Sequence, residues 1–200
     1  MTKQQKPILF VDFDRTLFDT ASFTEKLWEA VARRYGLDPA KAKAEGQAYF
    51  SYVGKLYDYD FFAHMRKMTG SSDAAIADAV REDLAGHDFR YADSAEAFAW
   101  LQAGHDVRIL TFGNEPYQRL KLSLTPEFLN LPVMIIRESK ADYLGWAHAA
   151  QQGWLVDDKP DQRLPLGFKE INLNRASDLP VAQQSGYVIV NSLKHVRNIL

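Results

Sequence analysis

Ile8-Leu9-Phe10-Val11-Asp12-Phe13-Asp14-Arg15-Thr16-Leu17-Phe18-Asp19-Thr20 is the stretch whose reading decides the fold. An unbroken apolar run of strand-forming residues ends abruptly in two carboxylates, Asp12 and Asp14, with Thr16 just beyond. A continuous apolar run with polar ends reads as a strand buried on both faces, as in a parallel sheet covered by helices. Ligands of open α/β sheets bind beyond the carboxyl ends of the strands, which is where Asp12 emerges. Side chains alternate along extended backbone, so Asp12 and Asp14 are expected on one side and Phe13 on another. Two close carboxylates repel unless a cation or a shared proton compensates them. The pair therefore reads as half of a hard-cation site, for Mg²⁺, that needs further oxygen ligands from elsewhere in the chain.

Downstream of this strand the pattern turns helical. Ser22 with Glu25 forms a capping box for a helix running through Trp28 and Val31 to a stop at Gly36. Asp38-Pro39 restarts a helix, in a segment that carries Tyr49, Phe50, Tyr52 and Val53. A third helix is expected from Asp60 to Thr69, ended by Gly70, and a fourth, capped by Ser72, from Asp73 to Ala85. Nothing from Thr20 to Tyr91 reads as a parallel strand, so residues 20–91 are expected to be an all-helical insertion. From Asp93 the alternation of a parallel α/β sheet begins. Its strands are expected at Val107–Thr111, Pro132–Ile136, Trp154–Val156, Phe168–Leu173 and Tyr187–Val190. Helices are expected at Ser94–Ala103, after Glu115-Pro116, from Lys140 to Ala150 behind a Ser139 cap, and after Ser192. Residues 1–19 and 92–200 then make one α/β core, interrupted early by the helical module.

Composition narrows the function classes. A chain of 200 residues can bury a sizeable core, and 46% hydrophobic with 25% charged residues is ordinary for a globular protein. The formal net charge of -2 gives no electrostatic reason to expect a nucleic-acid polymer or an anionic membrane as partner. With 0 cysteines, thiolate nucleophiles, disulfides and Cys-ligated zinc are excluded. The polar N-terminus lacks the pattern of a signal peptide and no apolar run is long enough to span a bilayer, so a cytoplasmic location is the expectation.

Four features fall at strand ends or at the start of the following helix: Asp12-x-Asp14-x-Thr16, Thr111 with Gly113, Lys140, and Asp157-Asp158. Together they make a coherent phosphoryl-transfer site. Asp12 can attack phosphorus and form an aspartyl-phosphate, dividing one hard displacement into two easier ones. Asp14 can protonate the leaving oxygen and then activate water. Asp157 and Asp158 complete the oxygen set for Mg²⁺. The Thr111 hydroxyl and the Lys140 ammonium can hold phosphoryl oxygens, and backbone N–H groups at Phe13-Asp14 and Gly113-Asn114 can add donors.

These segments, in this order, resemble the four motifs of the haloacid dehalogenase superfamily: Asp-x-Asp-x-Thr, a strand-ending Thr or Ser, a Lys and an acidic pair. The resemblance covers residues 6–20 and 92–198, and the early insertion sits where such proteins carry a type 1 cap. It implies a Rossmann-like parallel sheet with helices on both faces. It also implies that Asp12 is nucleophile and metal ligand, and that Asp14 is acid/base and offers its backbone carbonyl to the metal. The motif-two role passes to Thr111, the motif-three role to Lys140 and the motif-four role to Asp157 and Asp158. Members resembling dehalogenases lack an acid/base Asp at the position of Asp14, whereas phosphatases and phosphomutases have it. Two departures stand out: Arg15 where Gly is common, and Phe112-Gly113-Asn114 after Thr111 where Asn-Gly is more usual.

Bland readings compete with each of these. A lone Asp-x-Asp is commonly a solvated loop, and a lone Lys140 an exposed helix start; order and placement together lift them. Lys121 and Lys159 are the alternatives to Lys140. Asp161 reads equally as a further motif-four carboxylate or a turn cap. Thr16 reads as a turn-ordering residue. The five histidines (His64, His87, His105, His148, His195) show no ligand spacing. The aromatic run Tyr49, Phe50, Tyr52, Tyr57, Tyr59, Phe61, Phe62 reads mainly as cap packing, with a minority facing a substrate ring. Arg33-Arg34 and Arg66-Lys67 read as solvated helix faces or contacts for a second anionic group. The expectation is a Mg²⁺-dependent phosphatase acting on a small phosphorylated metabolite: a nucleotide, flavin mononucleotide or a sugar phosphate. A phosphomutase using the same residues and a catalytically quiet binding protein on the same scaffold are the rivals.

Overall fold

The computed structural model describes residues 6–54, 56–160, 163–184 and 186–200. The opening run forms β1 (Ile8–Val11), every residue of which is buried. Leu9, Phe10, Val11 and Phe13 have no exposed surface at all, as the unbroken apolar pattern requires of a strand covered on both sides. The insertion follows: α1 (Thr20–Tyr35), α2 (Pro39–Glu45), the strands β2 (Phe50–Val53) and β3 (Leu56–Tyr59), then α3 (Phe61–Thr69) and α4 (Asp73–Asp83). The chain continues through α5 (Ala92–Gly104), β4 (Asp106–Phe112), α6 (Glu115–Ser123), β5 (Val133–Ile136), α7 (Lys140–Ala147) and β6 (Gly153–Asp157). It ends with β7 (Phe168–Leu173), β8 (Val181–Gln184), β9 (Tyr187–Val190) and the short α8 (Leu193–Val196).

Among the described residues the main sheet has seven strands in the order β5-β4-β1-β6-β7-β9-β8. β1 pairs in parallel with β4 on one side and β6 on the other, and β7 runs parallel to β6 and to β9. The fold is the parallel α/β class that the alternating pattern predicts, with the Rossmann-like form that the resemblance implies. β1 lies where the strand order reverses, the place in such sheets where ligands bind. Gly153 makes the tight β1–β6 pairing possible: a Cβ there would meet the Ile8 carbonyl oxygen at 2.6 Å. No helix among the described residues is long and apolar enough to cross a membrane.

Two compact units are distinguished, one of Met1–Phe18, Arg90–Thr111 and Leu131–Leu200, the other of Asp19–Phe89 and Phe112–Asn130. The second unit includes α6, which the sequence assigns to the α/β core. Tyr117 of α6 explains this: its ring stacks on Phe61 at 5.0 Å and also meets Phe23 and Tyr59.

The insertion departs from an all-helical expectation at β2 and β3, which form an antiparallel hairpin pairing Phe50 with Tyr59 and Tyr52 with Tyr57. Aromatic residues fill these four positions, and cross-strand aromatic pairs are what stabilise such a ladder; the Phe50 and Tyr59 rings stack at 4.9 Å. The first insertion helix is capped by Asp19, whose side chain accepts from the Ser22 N–H, rather than by Ser22 itself. Gly36, Asp38, Gly70, Ser72, Ser139 and Ser192 stand at the helix ends the sequence gives them. α4 stops at Asp83, two residues short of the expected Ala85, and α7 at Ala147 rather than Ala150. β8 is an additional edge strand, antiparallel to β9.

Candidate active site

Register brings the first unit's acidic residues together. β1 and β6 run in step from Ile8 beside Gly153 to Val11 beside Val156, and the Asp12 N–H continues the ladder to the Val156 carbonyl at 2.9 Å. Asp12 and Asp157 therefore leave adjacent strands at the same level. Carboxylate oxygens of Asp12, Asp157 and Asp158 all lie within 4.8 Å of one another. On the other side β4 pairs Val11 with Ile109, two residues before Thr111. Lys140, the first residue of α7, donates from Nζ to Asp12 Oδ1 and to Asp157 Oδ2, the latter at 2.6 Å. The Lys140 side chain is only 11% exposed and those of its two partners 7%, so this is a buried three-member ion cluster.

The electrostatics follow from that burial. Desolvation raises the Asp12 carboxyl above the ordinary range; the Lys140 charge opposes this, while Asp157 and Asp158 add to it. Burial and the neighbouring Asp157 push Asp158 up to about 6. For Lys140, burial alone would lower its proton affinity, but Asp12 and Asp157 outweigh it and the ammonium is held more firmly than usual. Three carboxylates facing one ammonium leave the cluster short of positive charge. An all-oxygen, carboxylate-rich donor set of this kind suits a hard divalent cation such as Mg²⁺. Among the buried polar atoms of this unit without a hydrogen-bond partner are the Thr16 and Thr111 hydroxyls and His105 Nδ1. Unpaired buried polar atoms are costly and point to a polar ligand or a bound water.

Asp14 lies in the turn after β1, half-buried. The Phe13 carbonyl accepts from the N–H groups of Leu17 and Phe18, at 2.9 Å each, and Arg15 N–H donates to Phe18 O at 2.8 Å. Arg15 takes a left-handed φ of 62°, the one positive φ of a non-glycine residue among the described residues. That is the position where the resemblance leads one to expect glycine. Gly113 lies in the second unit, at φ 141°, where a Cβ would meet Gln118 Nε2 at 2.9 Å. The following N–H, that of Asn114, donates to the buried Asp58 carboxylate at 2.5 Å. Asp161 lies outside the described residues.

Sequence reasoning passes over one residue of the acidic cluster's support. Asn172 pairs with Asp157 across β6 and β7, and its Nδ2 donates to the carbonyls of Asp157 (3.2 Å) and Asp158 (3.0 Å). It fixes the backbone that carries both carboxylates. No local motif marks it; only the strand register does.

A family model described as haloacid dehalogenase-like hydrolase matches residues 9–132. Comparison with curated proteins finds no match. Among solved structures, the chain resembles YfnB of Bacillus subtilis, bound to magnesium, with a TM-score of 0.60 at 14% identity over 98% of this chain and 99% of that one. It also resembles a dehalogenase (TM-score 0.53, 16% identity, 100% and 99% covered). A third similar structure is a predicted phosphoglycolate phosphatase from Haemophilus somnus (TM-score 0.53, 14% identity, 100% and 99% covered). At these identities the structural likeness speaks for the fold alone.

Proposed function

The chain belongs to the haloacid dehalogenase-like hydrolases, and on that premise we propose that it is a Mg²⁺-dependent phosphatase acting on a small phosphorylated metabolite. The observation that carries the reading is the cluster of Asp12, Asp157 and half-buried Asp158, the first two clasped by Lys140, on the unit where Thr16 and Thr111 keep unpartnered hydroxyls. The presence of Asp14 favours phosphoryl transfer over dehalogenation, which has no use for an acid/base at that position.

In this reading an Asp12 carboxylate oxygen attacks phosphorus. The bond from phosphorus to the ester oxygen breaks as the Asp14 carboxyl gives its proton to that oxygen. Asp14, now a carboxylate, takes a proton from water, whose oxygen attacks the same phosphorus. Asp12 is released and inorganic phosphate forms. Lys140 and the Thr111 hydroxyl hold the phosphoryl oxygens and balance their charge. Asp12, Asp157, Asp158 and the Asp14 carbonyl would hold Mg²⁺, which when bound neutralises the anionic reactants as a Lewis acid.

Phosphate release from a panel of nucleotides, flavin mononucleotide and sugar phosphates tests this. Steady release of inorganic phosphate, lost by at least about a thousandfold in Asp12→Asn with the fold intact, is expected. Near-native turnover in Asp12→Asn would overturn the mechanism. Transfer of the phosphoryl group to a second hydroxyl without free phosphate would make the chain a phosphomutase.

A further inference from the structure

The turn that carries Asp14 is closed by its own backbone hydrogen bonds and is braced further from outside. Arg15 pays for its left-handed conformation with about 1–2 kcal/mol of steric cost, and such residues persist where the surroundings over-determine them. The surroundings here are the Tyr91 N–H and the Ser94 hydroxyl, which both donate to the Leu17 carbonyl, and a guanidinium from the far end of the chain. Arg175, two residues beyond β7, donates from Nη2 to the Thr16 carbonyl at 2.8 Å and, at the long end of the range, from Nε to the Arg15 carbonyl at 3.4 Å. The same group makes a two-pronged ion pair with Asp93, 3.0 Å on each side.

That pair is itself fixed. Asp93 is buried and accepts from Ser192 Oγ at 2.6 Å and from the Leu193 N–H at 2.9 Å, which ties it to the start of α8. The guanidinium carbon lies 3.7 Å over the Tyr91 ring. Planarity matters, because one rigid fork spans a carboxylate and two carbonyls at once and a point-charge ammonium cannot. Burial opposes the Asp93 charge, but these donors win and hold its carboxyl below the usual range. All of these residues belong to the first unit.

We propose that Arg175 is a positioning residue for Asp14: by clamping the carbonyls of Arg15 and Thr16 to Asp93, it fixes the turn that aims the proton-donating carboxyl at the leaving oxygen. The proposal rests on the phosphatase reading above. It predicts a loss that depends on the leaving group. When a phosphoester cleaves, the departing oxygen needs a proton in proportion to its basicity. Phenolate leaves far less readily than p-nitrophenolate, while the two esters are nearly the same shape. A misplaced acid therefore costs phenyl phosphate more than p-nitrophenyl phosphate, whereas general loosening of the fold costs both alike.

The experiment measures kcat/KM for both esters in wild type, Arg175→Lys, Arg175→Met, Asp14→Asn and the Asp14→Asn/Arg175→Lys double variant, with Tm recorded for each. Arg175→Lys keeps a cation opposite Asp93 and removes the fork. Both Arg175 variants should lose at least about tenfold more on phenyl phosphate than on p-nitrophenyl phosphate, within the range that a general acid supplies. In the double variant the Arg175 change should add no further selective loss to that of Asp14→Asn, since the two act through one carboxyl. Equal losses on both esters, or selective losses that add in the double variant, would overturn the proposal and leave the phosphatase reading standing. An Arg175→Lys chain that does not fold would give the arginine a folding role alone and overturn it too. A wild type that cleaves neither ester removes the phosphatase reading, and this proposal with it.

Discussion

Replacing Lys140 by Met removes the one cation clasped between Asp12 and Asp157 while keeping most of the side-chain volume. Two carboxylates within 4.8 Å of one another repel by at least about 3.5 kcal/mol at an effective dielectric constant near 20. Taking one partner from a buried ion pair typically costs about 3–5 kcal/mol. In chelator at pH 8 the variant should therefore lose about that much stability. Its escape is to bind a proton. Holding a carboxyl of unfolded pKa about 3.9 protonated costs about 5–6 kcal/mol at pH 8 but only about 3 at pH 6. The sign is set by the folded Asp12 carboxyl being raised, chiefly by burial: the folded state then binds more protons than the unfolded one, and stability grows as pH falls. The deficit at pH 6 should accordingly be smaller than at pH 8 by about 1–3 kcal/mol. Mg²⁺ at a hundred times its Kd should return about 2.7 kcal/mol if it binds only the folded chain. Urea unfolding of wild type and Lys140→Met, at both pH values and with or without Mg²⁺, measures all three quantities. A variant within about 0.5 kcal/mol of wild type at pH 8 in chelator, or a deficit indifferent to pH, would refute the electrostatic account of the cluster.

Three other expectations follow from the same structure. Chelation should abolish phosphatase turnover and Mg²⁺ restore it, with Ca²⁺ a poor substitute because its looser coordination aligns the reactants less well; full activity in chelator would exclude the cation site. Arg15→Gly should hold or raise the melting temperature, since relief of about 1–2 kcal/mol of left-handed strain exceeds the roughly 0.5–1 kcal/mol of added chain entropy; a clear loss would show that the Arg15 side chain itself is stabilising. Burial lowers the His64 pKa, so the unfolded chain takes up a proton near pH 6.5 while the folded one does not. Its contribution is then complete above about pH 6.5 and is lost as pH falls, and His64→Phe should flatten the acid limb of the stability curve measured by urea unfolding; an unchanged slope would mean that another group governs it.

What was legible in the sequence was local or ordered along the chain. The buried run from Ile8 to Val11 marks a central strand because no residue in it tolerates water, and the carboxylate that follows must lie at its end. Helix stops at Gly36 and Gly70 and the cap at Asp38 depend on neighbours within one turn. The β2–β3 hairpin was not legible because its strands are four residues each and its aromatic residues pack as readily on a helix. β8 reads Val-Ala-Gln-Gln and stands at the sheet edge, where little burial is needed to shape its pattern. The clamp joining Arg175, Asp93 and Ser192 spans separations of 82 and 99 residues, and no spacing rule connects its members. Asn172 becomes meaningful only once β6 and β7 are in register.

The aromatic run shows why residue type alone does not decide between packing and recognition. Tyr59 offers a ring and a hydroxyl that a substrate could use, but the hydroxyl is bonded to His64 Nδ1 at 2.6 Å and the ring meets Phe50, Phe61 and Tyr117. Tyr49 stacks on the same histidine at 4.6 Å. Both half-buried rings are committed to contacts within their unit, and Tyr57 likewise meets Phe50 at 5.6 Å, whereas its cross-strand neighbour Tyr52 is 74% exposed. Asn114 raises the same question for anion binding. The N–H expected to greet a phosphate at the start of α6 already donates to a carboxylate, that of Asp58. A helix N-terminus favours negative charge whatever its source. A phosphoryl oxygen using that N–H must therefore displace Asp58, and its binding there is weakened by whatever the Asp58 contact contributes. Any phosphate-binding role of Gly113 and Asn114 is thus coupled to the freedom of β3, the strand that carries Asp58.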